Sequence, residues 1–116
     1  MDRFCLADGG YQRVGYPTAA FLRTLSARER GRVRGRAVFN STSSTRYSAF
    51  GRRPGSSSAG LGGRRFRVGP NVWIMRRGSR ATVLFKIRHG RVREVGLADR
   101  RLTRGSRALH YLRTFY

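Results

Sequence analysis

The sequence predicts an α+β fold: a small antiparallel β-meander over residues 64–98, an amino-terminal hairpin and two short helices. Three observations carry this expectation. Apolar and polar residues alternate between turn signals through the second half of the chain, the pattern of half-buried strands. Near both ends, apolar residues instead recur at helical spacing. Finally, 39% of the 116 residues are apolar, with seven Phe, five Tyr and one Trp, enough for one modest core and unlike the aromatic-poor composition of disordered chains. One domain over residues 1–116 is therefore expected.

Residues 17–30 read as helix, with Pro17 suited to a first helical position and Phe21, Leu22 and Leu25 on one face. Ser26 and Glu29 have the spacing of a capping box for a second short turn, which Gly31 is expected to end. Residues 33–39 and 46–50 suit the two strands of the amino-terminal hairpin, with 41–45 as the polar connection. Residues 52–63 hold Pro54-Gly55, Ser56-Ser57-Ser58 and three further glycines, and are expected to form a flexible loop.

In the meander, Phe66 and Val68 alternate with arginines, Pro70-Asn71 turns the chain, and Val72 to Met75 begins the next strand. Ala81, Val83, Phe85 and Ile87 then share one strand face, and Thr82, Leu84, Lys86 and Arg88 the other. His89-Gly90 suits a two-residue hairpin loop, which sets Ile87 opposite Val92 and Leu84 opposite Val95. The same register sets Phe85 against Glu94, a mismatch that, with Gly96 nearby, points to a bulge or an exposed edge. It also sets Lys86 beside Arg93, a like-charge pair that needs either water or a bridging anion. Ser106 can cap a last helix whose apolar arc is Ala108, Leu109, Tyr111, Leu112, Phe115 and Tyr116, and this arc is expected to bury Phe85, Ile87 and Val92.

The net charge is +21, because 26 basic residues face only Asp2, Asp8, Glu29, Glu94 and Asp99. Such a field attracts polyanions and strains the compact state by self-repulsion. All the basic residues except Lys86 are arginine, which also fits the codon bias of a GC-rich genome. Cys5 is the single cysteine, so an intrachain disulfide and a cysteine zinc cluster are excluded. His89 and His110 stand in no metal-ligand spacing and read as a turn residue and a solvated helix residue. No catalytic, cofactor-binding or metal-ligating residue is read from the sequence. Gly60-Leu61-Gly62-Gly63 lacks the ending of a phosphate-cradling loop. The longest apolar runs fall far short of the ~20 residues of a membrane-spanning helix. Met1 to Gly10 carries Asp2 and Asp8 and reads as no export signal.

The runs Phe66-Arg67-Val68-Gly69, Val72-Trp73-Ile74 and the stretch from Phe85 to Thr103, with Phe4-Cys5-Leu6, Arg13 to Pro17 and Val33 to Val38, resemble an arginine-rich carboxyl-terminal module of proteins from high-GC actinobacteria, many of them exported. The resemblance covers nearly the whole chain. It implies a domain rather than an enzyme, and the tail of a longer exported protein with Met1 as a late start. It brings no cofactor and no catalytic residue.

The leading functional expectation is a non-enzymatic module that binds a polyanion, either nucleic acid or an acidic envelope polymer. Arg65, Arg67, Arg88, Arg91 and Arg93 are its expected contacts. The rivals are a structural module of a surface or secreted protein whose charge is compositional, and an enzyme of unrecognised type.

Overall fold

A computed structural model describes residues 1–115, so Tyr116, expected on the last helix's apolar arc, lies outside the described residues. Seven strands are present: β1 (Asp2–Cys5), β2 (Tyr11–Gly15), β3 (Phe39–Thr42), β4 (Arg64–Val68), β5 (Asn71–Arg77), β6 (Thr82–Arg88) and β7 (Arg91–Ala98). They form one sheet in the order β1-β2-β3-β7-β6-β5-β4, antiparallel throughout. The helices are α1 (Ala19–Leu22), α2 (Ala27–Val33) and α3 (Arg107–Phe115), with a 3-10 turn over Arg101–Thr103. The α+β class and the meander β4-β5-β6-β7 are as the alternation predicts.

The expected helix over 17–30 is two helices. Thr18 caps α1 by accepting from Phe21 N, and Ser26 with Glu29 forms the complete capping box of α2. Gly31 lies inside α2 rather than ending it. The terminating glycine is Gly35, at φ +71, one residue beyond the C-cap Arg34, where a left-handed residue reverses the chain.

The amino-terminal hairpin exists but is built from other residues. It joins β1 to β2, pairing Asp2 with Val14 and Cys5 with Tyr11. Of the expected segment 33–39 only Phe39 is a strand residue, and 46–50 holds only the Ala49–Arg52 bridge. Instead, 39–42 forms a strand inserted between β2 and β7. Polar Tyr11-Gln12-Arg13 shows weak apolar alternation, and its strand is held by pairing and by side chains that reach a buried carboxylate on β7.

The two sheet faces are covered by different material. On the helix face, Phe39, Trp73, Met75, Leu84 and Ala98 pack with Phe21, Leu102, Tyr111, Leu112 and Phe115. Phe39 stacks on Phe115 with centroids 4.9 Å apart, and the Tyr111 hydroxyl donates to Val38 O at 2.5 Å. Gly15 is required here, since a Cβ would lie 2.4 Å from the Phe115 ring.

On the other face, Ile74, Val83, Phe85, Ile87, Val92 and Val95 form a second cluster with Leu61. The expected burial of Phe85, Ile87 and Val92 is present, but the last helix does not supply it. The helix takes the face of Leu84 and Trp73, and the Ser/Gly segment takes the face of Phe85. That segment, expected to be free, is docked along β7: Gly55 N donates to Val92 O at 2.7 Å, Val92 N to Ser56 O at 2.8 Å and Ser58 N to Gly90 O at 2.9 Å. Its Leu61 is the apolar anchor that polar composition conceals.

The β6-β7 turn is the expected two-residue loop, with His89 at φ +53 and Gly90 at φ +72, the left-handed pair of a type I′ turn. Ile87 faces Val92 as expected. A register shift at Lys86/Ile87 then resolves the mismatch seen in the sequence: Leu84 faces Gly96, Phe85 faces Val95, and Lys86 faces Glu94 instead of Arg93. One bulged residue thus turns a repulsive pair and a buried mismatch into an ion pair and an apolar pair.

Candidate polyanion-binding surface

The acidic residues are largely used inside the fold. Glu94, 1% exposed, lies on the helix face at the centre of the sheet. It accepts from Arg13 Nε at 2.9 Å, the Tyr11 hydroxyl at 2.8 Å, Lys86 Nζ at 3.1 Å and the Ser41 hydroxyl. Burial works to raise its pKa, but Arg13, the Ser41 hydroxyl, Lys86 and Tyr11 together hold the carboxyl below its ordinary value. Burial and the neighbouring Glu94 charge push the Tyr11 hydroxyl up to about 12, so it remains a donor. Glu29 is clasped by both terminal nitrogens of Arg107, whose hydrogen bonds, with those from Ser26, draw its pKa down to about 2. Asp8 accepts from the Ser44 hydroxyl and Gly10 N. The ion pairs among the described residues therefore engage only Arg13, Lys86 and Arg107 as cations.

The five expected contact residues do not make one patch. Arg65 and Arg67 project from the edge strand β4 in line with Ile74 and Val72, on the face of the docked segment. Arg88 lies two strand spacings away on β6, and Arg91 and Arg93 lie three away on β7, about 14 Å from β4. Arg91 is used internally, donating to Gly55 O at 3.1 Å, and so pins the Ser/Gly segment. Arg88 and Arg93 do come together, lining a cavity of about 300 Å³ with Lys86, Asn71, Tyr11 and Glu94.

The larger concentration is at the opposite end of the sheet. Arg64, Arg76, Arg77, Arg100 and Arg104 line a cleft of about 480 Å³ with Met75, Thr82 and Thr103, and no acidic side chain faces it. The walls are fixed by backbone acceptors: Arg64 donates to Gly105 O at 3.1 Å and Arg100 to Ser79 O at 3.0 Å. The Thr82 and Thr103 hydroxyls meet at 2.7 Å and join β6 to the 3-10 turn beneath. Arg76 lies over the Phe50 ring, its guanidinium carbon 3.9 Å from the centroid. Phe50 is 44% exposed and holds φ +49, uncommon for a bulky side chain.

No family model, curated protein or solved structure matches the chain. The site's chemistry therefore rests on its geometry.

Arg104 also lines an adjoining depression with Arg32, Arg101 and Arg107, whose Glu29 is already paired. The cleft thus opens onto a basic path along α2. Guanidinium forks held on a rigid rim bind phosphate or carboxylate oxygens bidentately without first having to be ordered. Sequence reasoning missed these arginines because they come from four separate segments. A usable signal was present, however. The dipeptides Arg76-Arg77 and Arg100-Arg101 flank the ends of β5 and β7, and an antiparallel meander brings those ends to the same side.

No group of three or more His, Cys, Asp or Glu with metal-binding placement occurs among the described residues. No described helix is long and apolar enough to cross a membrane.

Proposed function

We propose that the chain is a non-catalytic binding module for a linear polyanion, with the cleft of Arg64, Arg76, Arg77, Arg100 and Arg104 as its principal contact. The observation that carries this reading is the cleft itself, which gathers five arginines and no carboxylate. Electrostatic attraction to the +21 chain would bring any polyanion near. The cleft adds a place where consecutive anionic groups are held at fixed spacing. Nucleic acid is the polyanion favoured by the Arg76–Phe50 pair, which stands beside the cleft on the face of the docked segment, because a guanidinium plane braced on an aromatic ring is a stacking surface for a base.

The test is a salt titration of binding to a short fluorescent DNA strand, read by anisotropy. Replacing Arg64, Arg77, Arg100 and Arg104 together by Gln should flatten the slope of log K against log salt by about 3, at ~0.7 to 0.9 per lost phosphate contact. The control removes the same charge at exposed Arg23, Arg28, Arg34 and Arg53. An equal loss from both variants would mean that total charge, and not the cleft, binds. Absence of binding at low salt would leave the arginine content compositional.

A further inference from the structure

We infer that the groove between the end of β7 and the segment 43–50 receives one unpaired nucleobase of a strand whose phosphates lie in the arginine cleft. The inference rests on the nucleic-acid reading above and adds to it a base-holding site on the sheet.

Leu97 is the first sign of the groove. β7 is a central strand, flanked by β3 and β6, yet Leu97 on it is 52% exposed. The register pairs Leu97 with Val83 on β6 and with Asn40 on β3, which puts its side chain on the face of the docked segment. That segment bonds to β7 only around Gly90 and Val92, and so leaves Leu97 open. Nor is Leu97 isolated: Tyr47 and Phe50, both exposed, belong to the segment 43–50, and Tyr47 lines the same groove. Grouped apolar exposure of this kind marks a ligand or partner site, whereas single exposed residues do not.

The groove has a volume of about 290 Å³. Val95 and Leu97 supply its apolar part, Tyr47 a ring, and Gln12 and Asn40 two amides. Gln12 Nε2 donates to Asn40 Oδ1 at 2.9 Å, so each amide braces the other. Gln12 Oε1 and Asn40 Nδ2 keep free hydrogen-bonding capacity among the described residues, one as acceptor and one as donor. Turning both amides over preserves this count of one donor and one acceptor.

The groove's neutrality identifies its occupant. Although 27% of the chain is charged, none of the residues lining the groove is. It therefore suits an uncharged group, while the cleft beside it suits anions. Arg76, on the rim of that cleft, pairs with Val83, and Val83 pairs with Leu97. Cleft and groove thus meet along one row of the sheet, with Arg76 and Leu97 two strand spacings or about 10 Å apart. A nucleic-acid strand has both required parts, an anionic backbone and flat neutral bases that carry donors and acceptors on one edge. The base must be unpaired, because only then are its face and pairing edge open to a ring and two amides.

The experiment compares a short fluorescent single strand of mixed sequence with an abasic strand of equal length, at low salt, by anisotropy. The intact strand should bind the parent protein about tenfold more tightly, the contribution of one stacked base. Tyr47→Ala should remove this margin and leave abasic binding unchanged, and Tyr47→Phe should keep it. Asn40→Ala should reduce the margin about fivefold, the loss of one hydrogen bond. Both positions are exposed, so neither substitution threatens the fold. The four-arginine cleft variant should weaken both strands alike. Equal binding of the two strands by the parent, or a full margin in Tyr47→Ala, would overturn the groove and spare the cleft. No binding of either strand would overturn both. Polygalacturonate binding that Tyr47→Ala weakens, with the intact strand unaffected, would assign the groove to a sugar and overturn the inference.

Discussion

Replacing Glu94 by Gln removes the carboxylate that, among the described residues, neutralises Arg13 and Lys86, while keeping the side chain's shape. Removing one partner of a buried ion pair typically costs ~3–5 kcal/mol, because the survivor keeps its desolvation without its counter-ion. Two cations survive here, but their side chains are 11% and 18% exposed, so water reaches both and the lower end of that range applies, about 3 kcal/mol. With a urea m-value of roughly 1–3 kcal/mol/M, the unfolding midpoint should fall by about 1–3 M. The sign of the next step tests the cause. Lys86→Met combined with Glu94→Gln removes one of the two stranded charges and should recover part of the loss, whereas Lys86→Met alone should destabilise. A drop below about 1 kcal/mol for Glu94→Gln, or a double variant less stable than Glu94→Gln alone, would refute the argument that this carboxylate organises the centre of the sheet.

Three further outcomes are expected. Phe85→Ala empties the centre of the second cluster, where Phe85 is fully buried, and should lower stability by ~3–5 kcal/mol in urea unfolding, with a shift under about 1 kcal/mol contradicting the role of that cluster. Acid should unfold the protein in a defined window: Glu94 and Glu29 have folded pKa values below 4.5, so their stabilisation is complete above that value and is lost as pH falls through the folded pKa, toward about 2 for Glu29. Circular dichroism against pH should show this loss, and Glu94→Gln should make it shallower. Gly63→Ala should destabilise by at least ~1 kcal/mol in thermal melts, because Gly63 holds φ +137 and an added Cβ would stand 2.6 Å from Met75 O.

The meander was legible because its signals are local. The type I′ turn at His89-Gly90 fixed the first pair, and the Phe85–Glu94 mismatch marked a bulge before its position was known. The sequence could not say which way the bulge would shift the register, since the choice depends on Arg13, Tyr11 and Ser41 arriving from strands far away in the chain. The side on which each face is covered was hidden for a related reason. Leu84 and Phe85 are adjacent and both fully buried, so alternation names two faces without saying which one meets α3. The candidate site was least legible. The expected arginines lie close together in sequence, on β4 and around the β6-β7 turn, while the cleft collects strand ends and a 3-10 turn.

The docked Ser/Gly segment also decides how far molecules of this protein can assemble edge to edge. β3 pairs only with Val95 to Ala98, and this would leave the start of β7 as an open ladder within the sheet. The Ser57–Arg91 bridge and its neighbouring hydrogen bonds occupy that gap. Among the described residues two free edges remain, β4 and β1, at opposite margins of the sheet. β4 carries exposed Arg64, Arg65 and Arg67, so two such edges repel one another. β1 has Arg3 between Asp2 and Phe4 and is the more permissive margin. A molecule with one permissive edge can pair once and then stops, whereas fibre growth needs two. Each β4 arginine therefore acts as a chain terminator for aggregation, and removing those charges would open the second margin.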